Sequence, residues 1–127
     1  MKSISDTLII IPARMGSKRF PGKPLVNING KTMLEHVRDR AIESGAGKVV
    51  VACCDKEIKI FLEKKNIYYI WTKKNLNSGT DRVNYAFEKI KNKEKYKYVI
   101  NLQGDVPFIK HKDIIKLKTL IKNSPFK

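Results

Sequence analysis

The feature that most constrains the fold is an apolar run, Leu8–Ile11, which ends at Pro12 and leads directly into a basic loop. A short run of this kind is typical of a buried β-strand. The loop contains Gly16, Gly22 and no acid, and its four cations are Arg14, Lys18, Arg19 and Lys23. A buried strand followed by a basic, glycine-containing loop is a common phosphate-binding arrangement in α/β proteins.

Strand-like and helix-like segments alternate along the rest of the chain. The predicted strands are residues 7–12, 48–53, 67–71 and 98–102. The predicted helix N-caps are Thr32, Asp55 and either Ser78 or Thr80, and a last helix is predicted to use Ile114, Leu117 and Ile121. Strands separated by helices of this length form parallel βαβ units. We therefore predict a single α/β domain over residues 1–127, with helices layered on a mainly parallel sheet.

The predicted strands place three polar segments at one edge of this sheet. They are the basic loop, residues 73–82 after the third strand, and Gln103-Gly104-Asp105 after the fourth strand. Ligands of open α/β sheets bind at the carboxyl ends of the strands. One crevice is thus expected to contain phosphate-binding cations, a Ser-Gly-Thr turn and a carboxylate, which is the composition of a nucleotide and metal site.

The common nucleotide-binding loops do not fit the sequence. Five residues separate Gly16 from Gly22, and Lys23 precedes Pro24 instead of Ser or Thr, so the loop is not a Walker P-loop. A G-x-G-x-x-G motif is also absent from the sequence. We predict no helix at Lys23, so side chains and the backbone N–H groups around Gly16 would have to bind the phosphate.

Composition narrows the class of protein further. The net charge of the 127 residues is +15, but the cations are mostly lysines scattered along the chain, without a nucleic-acid recognition motif. We therefore expect no nucleic-acid partner. No apolar run reaches 18 residues, so we expect no membrane span and a cytoplasmic protein. Cys53 and Cys54 are adjacent, which would strain a disulfide, and both are predicted to be reduced.

Three motifs together resemble a known family. Residues 9–37, IIIPARMGSKRFPGKPLVNINGKTMLEHV, resemble the N-terminal signature of the sugar-acid cytidylyltransferases. SGTDR at residues 78–82 and NLQGDVPFI at residues 101–109 are similar to the 3-deoxy-manno-octulosonate (Kdo) branch, the CMP-Kdo synthetases. The resemblance implies a three-layer α/β/α fold of the nucleotide-diphospho-sugar transferase type. It also implies transfer of CMP from CTP to Kdo with release of pyrophosphate, for lipopolysaccharide biosynthesis.

The resemblance assigns roles to individual residues. Arg14, Ser17 and Lys23 would hold the CTP phosphates, while Ser78, Gly79 and Thr80 would lie against the nucleotide. Arg82 would lie near the phosphate or sugar-acid pocket, and Gln103 would fix the base or the sugar. Asp105 would bind Mg²⁺. Arg14, Lys23 and Asp105 are the residues expected to support catalysis.

The sequence also departs from the family pattern. Val106 stands where the family usually has Glu, and Cys54 stands at a position that is often acidic. Family members are about twice as long, so this chain would correspond to the N-terminal half of a longer enzyme, which as a whole is expected to be a homodimer. Two alternatives remain open: a cytidylyltransferase of the CMP-sialic-acid type, and an inactive truncated remnant that only binds nucleotide.

Overall fold

The computed structural model describes residues 6–16, 23–103 and 118–120, the last of these as backbone only. The strands are β1 Thr7–Ala13, β2 Asn27–Ile28, β3 Lys31–Thr32, β4 Lys48–Cys53, β5 Tyr69–Trp71, β6 Tyr98–Asn101 and β7 Lys118–Leu120. The α-helices are α1 Met33–Ser44, α2 Lys56–Lys64 and α3 Gly79–Glu88, and short 3₁₀ turns span Lys23–Leu25 and Lys93–Lys95.

Among the described residues, five strands form one sheet in the order β5-β4-β1-β6-β7. The sheet is mainly parallel, as the sequence predicted. Strand β1 pairs in parallel with β4 on one side and with β6 on the other, and β4 pairs in parallel with β5. Only β7 runs antiparallel in the described part of this sheet, beside β6. The chain moves outward from β1 to β4 and β5 and then crosses back to β6. The strand order therefore reverses between β1 and β6, which is where ligands of such sheets bind.

Helices cover both faces of the sheet. Alternate residues of β1 point to opposite faces. Ile9 and Ile11 belong to a cluster with the buried faces of α1 and α2, whereas Leu8 and Ile10 belong to a cluster with α3. Both faces of β1 are thus buried under helices, which explains why its sequence is continuously apolar rather than alternating. The predicted three-layer α/β/α architecture is confirmed.

Two helices begin as their sequences predicted. The Thr32 hydroxyl accepts the Glu35 N–H, and the Glu35 carboxylate accepts the Thr32 N–H in return, which completes a capping box at α1. At α3 the N-cap is Ser78 rather than Thr80, and its hydroxyl accepts the Asp81 N–H. Such caps satisfy backbone donors that have no partner within the helix.

Other local predictions were wrong. Residues 118–120 form a strand, so the predicted last helix does not continue to Ile121 through them; Ile114, Leu117 and Ile121 themselves lie outside the described residues. The third strand begins at Tyr69 rather than at residue 67. Trp71 in this strand is 44% exposed. The reason is that β5 is an edge strand with a neighbour on one side only.

A small hairpin lies between the basic loop and α1 and was not foreseen. Strands β2 and β3 pair in antiparallel fashion around Asn29 and Gly30, which both have positive φ. Asn-Gly is the strongest short-range signal for such a turn, so the sequence did contain the information.

Within the described part of the chain, no helix is long and apolar enough to cross a membrane.

Candidate functional site at the carboxyl ends of the strands

The three motifs meet at the carboxyl end of the sheet. A Cβ placed on Gly79, the first residue of α3, would lie 3.2 Å from the amide nitrogen and oxygen of Gln103 and 3.5 Å from Pro12 Cγ. Pro12 belongs to β1, and Gln103 follows β6. The glycine therefore allows the Ser-Gly-Thr turn to pack closely against the other two motifs, and a larger residue there would have to displace the Gln103 side chain.

Side-chain hydrogen bonds link the turn to the end of β6. Asn101 Nδ2 donates to Thr80 Oγ1 at 3.3 Å, and Gln103 Nε2 donates to Asn101 Oδ1 at 2.9 Å. Asn101 was not among the residues that the sequence assigned to the site. The feature that could have identified Asn101 is a polar residue at the carboxyl end of an otherwise apolar strand. The network fixes two side-chain amides and one hydroxyl next to the N-terminus of α3, where free backbone N–H groups favour negative charge.

The basic loop begins at the end of β1 and is only partly described. Arg14 is exposed, and its Nη2 donates to the Gly16 carbonyl oxygen at 3.1 Å. Lys23 is half-buried in the 3₁₀ turn Lys23–Leu25. The turn has only three residues, so no α-helix begins at Lys23, as the sequence predicted. Ser17 lies outside the described residues, as do Lys18, Arg19 and Gly22.

Arg82 lies in the interior, with no exposed surface. Its Nη1 donates to the Thr72 hydroxyl oxygen at 2.5 Å and to the Lys73 carbonyl oxygen at 2.7 Å. Thr72 in turn donates its hydroxyl and its N–H to the Cys53 carbonyl oxygen, so Arg82 joins α3 to the ends of β4 and β5. Its Nε and Nη2 have no hydrogen-bond partner among the described residues.

Positive charge surrounds the end of β4. Burial raises the pKa of the Cys54 thiol, while the charges of Arg82, Arg14 and Lys74 act in the opposite direction. Burial is also the largest cause that raises the pKa of Cys53, to about 12. Both cysteines are free and buried, as predicted, and both are protonated at neutral pH. The cations around Cys54 make this edge of the sheet attractive to an anionic ligand.

A metal site cannot be built from the described residues alone. No three His, Cys, Asp or Glu side chains within residues 6–16, 23–103 and 118–120 cluster closely enough to hold a metal ion. Asp105, the predicted Mg²⁺ ligand, lies outside the described residues, two positions beyond Gln103.

Fold and site together define an α/β protein with polar and cationic side chains at the carboxyl ends of its strands, where the strand order reverses. A family model described as Cytidylyltransferase matches residues 8–127. The chain therefore belongs to the cytidylyltransferase family, and the resemblance drawn from the motifs is confirmed.

Named relatives narrow the comparison to one branch. The 3-deoxy-manno-octulosonate cytidylyltransferase of Wigglesworthia glossinidia brevipalpis is 44% identical over 117 residues, which is 92% of this chain and 48% of that relative. An 8-amino-3,8-dideoxy-manno-octulosonate cytidylyltransferase of a Shewanella species is 41% identical over 121 residues, which is 94% of this chain and 49% of that relative. The chain spans about half the length of the curated relatives it matches.

A solved structure supports the same assignment. It is described as CMP:2-keto-3-deoxy-manno-octonic acid synthetase complexed with CTP, and it superposes with a TM-score of 0.78 at 39% sequence identity. The match covers 89% of this chain and 46% of that structure. The fold predicted from the motifs is thus the fold of a relative whose structure contains CTP.

Proposed function

We propose that this chain contributes the CTP-binding half of a CMP-Kdo synthetase. The proposed reaction transfers CMP from CTP to 3-deoxy-D-manno-octulosonate and releases pyrophosphate. The observation that supports the proposal is the close approach of Gly79 to Pro12 and Gln103, by which all three motifs have residues at one edge of the sheet. The similarity to relatives named for this reaction supports the choice of substrates.

The described residues suggest how CTP would be held. Arg14 is exposed beside the crevice and needs to give up only its bond to the Gly16 carbonyl oxygen to reach a phosphate. Lys23 would add a second charge, with Ser17 as a further phosphate ligand. Ser78, Gly79 and Thr80 would contact the nucleotide at the N-terminus of α3. Gln103 would fix the base or the sugar through the amide atoms that its bond to Asn101 leaves free.

The chemistry requires positioning and charge compensation rather than a covalent intermediate. The anomeric hydroxyl of Kdo would attack the α-phosphorus of CTP, a P–O bond would form, and the bond to pyrophosphate would break. Cations at the end of β1 would compensate the negative charge of the triphosphate and of the leaving pyrophosphate. The neutral, buried thiols of Cys53 and Cys54 are not suited to act as nucleophiles.

We propose Asp105 as a ligand of Mg²⁺. When bound, the metal would screen the triphosphate oxygens. The described residues add no group of three His, Cys, Asp or Glu side chains that could hold the metal. Arg82 keeps a proposed role near the sugar-acid pocket, although its guanidinium is buried and bound to the residues before the Ser-Gly-Thr turn. For the whole enzyme we propose a cytoplasmic homodimer that serves lipopolysaccharide biosynthesis.

A second candidate substrate is 8-amino-3,8-dideoxy-manno-octulosonate. Relatives named for it are 41% identical to this chain, close to the 44% of the first Kdo relative. The sialic-acid alternative is not favoured, because the relatives described above are named for octulosonates. The inactive-remnant alternative predicts CTP binding without turnover.

The test is pyrophosphate release from CTP and Mg²⁺ with Kdo, its 8-amino analogue or N-acetylneuraminate as acceptor. In the full-length enzyme that contains this chain, we expect turnover with Kdo, and we expect Asp105→Asn to abolish it while the fold is retained. Turnover with N-acetylneuraminate alone would overturn the proposal, and CTP binding without turnover on any acceptor would favour the inactive remnant. Turnover with the 8-amino analogue but not with Kdo would show that the analogue is the substrate of the same proposed reaction.

A further inference from the structure

Asp55 makes a long-range contact with the basic loop that its sequence position does not predict. The residue directly follows Cys54 and precedes α2, and sequence alone assigns it to capping that helix. Asp55 does occupy the N-cap position, but its carboxylate makes no capping hydrogen bond. Instead, its Oδ2 accepts the backbone N–H of Met15 at 2.8 Å, across 40 residues of sequence.

Met15 lies between Arg14 and Gly16 at the start of the basic loop. Its N–H cannot join the sheet, because β1 ends at Ala13. The Asp55 carboxylate is therefore the group that fixes this N–H and, with it, the backbone direction as the chain leaves β1. The Cys54 thiol donates a longer bond, 3.9 Å, to the same Oδ2 and steadies the carboxylate.

The negative charge of Asp55 acts against the binding of an anion. Around Cys54 the positive charges of Arg14, Lys74 and Arg82 favour an anion, and the Asp55 charge opposes them. A carboxylate here weakens the attraction for a triphosphate by Coulomb's law. It also leaves N–H groups of α2 without a side-chain cap. Both costs, the weaker attraction for a triphosphate and the missing cap of α2, would be offset if the carboxylate orders the start of the basic loop.

We propose that Asp55 is a positioning residue that holds the described start of the basic loop, Arg14 to Gly16, in place for anion binding. It acts through the Met15 backbone and does not touch the ligand. Without it the backbone of Arg14 to Gly16 samples other conformations, and the apparent affinity falls in proportion to the fraction of molecules that remain competent to bind. The proposal rests on the proposed function in that CTP is taken as the ligand.

Three substitutions separate this role from helix capping. Asp55→Asn keeps an acceptor oxygen of the same reach. Asp55→Ser keeps a good N-cap but is one bond too short to reach the Met15 N–H, and Asp55→Ala removes both functions. Asp39→Ala is the matched control. Asp39 lies in α1, and its carboxylate forms an ion pair with Lys31 at the surface, at 2.7 Å.

The experiment measures amide hydrogen exchange at Met15 in the free protein and CTP affinity by calorimetry. We expect Asp55→Ser and Asp55→Ala to speed Met15 exchange and to weaken CTP binding about tenfold. Asp55→Asn and Asp39→Ala should remain within about threefold of the wild type in both measurements. If Asp55→Ser behaves as wild type, or if Asp55→Asn loses as much as Asp55→Ala, the positioning role is overturned. If wild type does not bind CTP, the proposed function fails, while Met15 exchange still decides whether Asp55 orders the loop.

Discussion

The two ends of the parallel strands are built in different ways. At the amino ends, backbone contacts close the structure: the Asp6 carbonyl oxygen accepts the N–H groups of Lys97 at 2.7 Å and Tyr98 at 3.1 Å. Gly47 approaches so closely there that an added Cβ would lie 2.2 Å from the Thr7 carbonyl oxygen. At the carboxyl ends, by contrast, side chains such as Thr80 and Gln103 make the links and remain exposed.

The difference indicates which end can change without loss of the fold. A backbone contact cannot yield, so a steric change at the amino ends disturbs the sheet itself. Exposed side-chain contacts can rearrange, so the carboxyl ends can accept a ligand at small cost to folding. The same substitution, glycine to alanine, can be made at both ends and tests this contrast directly.

The largest expected effect is at the amino end. In Gly47→Ala the new methyl group meets the backbone of Thr7, with the nearest atom at 2.2 Å, and β1 and β4 must separate to admit it. We expect the free energy of unfolding to fall by about 3 kcal/mol or more. Urea denaturation measures it. A loss below about 1 kcal/mol would show that the amino end yields as easily as the carboxyl end.

Arg82→Ala sharpens the comparison between the two ends of the strands, because Arg82 is a buried side chain at the carboxyl ends. The substitution removes two hydrogen bonds, to Thr72 and Lys73, and opens a cavity between α3 and the sheet. It also removes a guanidinium with two nitrogens lacking partners in the described residues, which offsets part of the cost. We expect a loss of about 2 kcal/mol in the same denaturation experiment. An increase in stability would mean that the unpaired guanidinium costs more than its bonds contribute.

Gly79→Ala has the smallest expected effect on stability. The new Cβ would lie 3.2 Å from the terminal atoms of Gln103, a flexible and exposed side chain that can move aside. We expect the free energy of unfolding to change by less than about 0.5 kcal/mol. CTP affinity should fall about fivefold, because the displaced amide loses its alignment with Asn101. A large loss of stability with unchanged CTP affinity would reverse the contrast with Gly47→Ala.

Local patterns in the sequence predicted the elements that local forces determine. The signals for the N-caps of α1 and α3 lie within a few residues: Thr32 is the N-cap of α1 as predicted, and of the two predicted candidates for α3, Ser78 is the N-cap. The order of strands and helices also predicted the parallel sheet and its two helical layers. The predicted meeting of the basic loop with Ser78–Thr80 and Gln103 rests on the same topology, since carboxyl ends of parallel strands share one edge.

Contacts between distant segments could not be read from such patterns. Asp55 has the sequence of an N-cap, and only the three-dimensional proximity of β1 and β4 reveals its bond to Met15. The burial of Arg82 was missed for the same reason, because a charged residue on a helix is usually exposed. The exposure of Trp71 depends on the position of β5 at the sheet edge, which strand propensity does not encode.

The pairing of β1 with β6 has a consequence for protein synthesis. Leu8 of β1 pairs with Val99 of β6, so almost the whole described chain must be synthesised before β1 has its second neighbouring strand. Strand β4 can pair with β1, and β5 with β4, before β6 is synthesised, and during that interval one edge of β1 remains open to wrong partners. Asn101 and Gln103 emerge from the ribosome last among the described site residues. A nascent chain would therefore acquire its sheet gradually but its proposed ligand-binding site in a single late step.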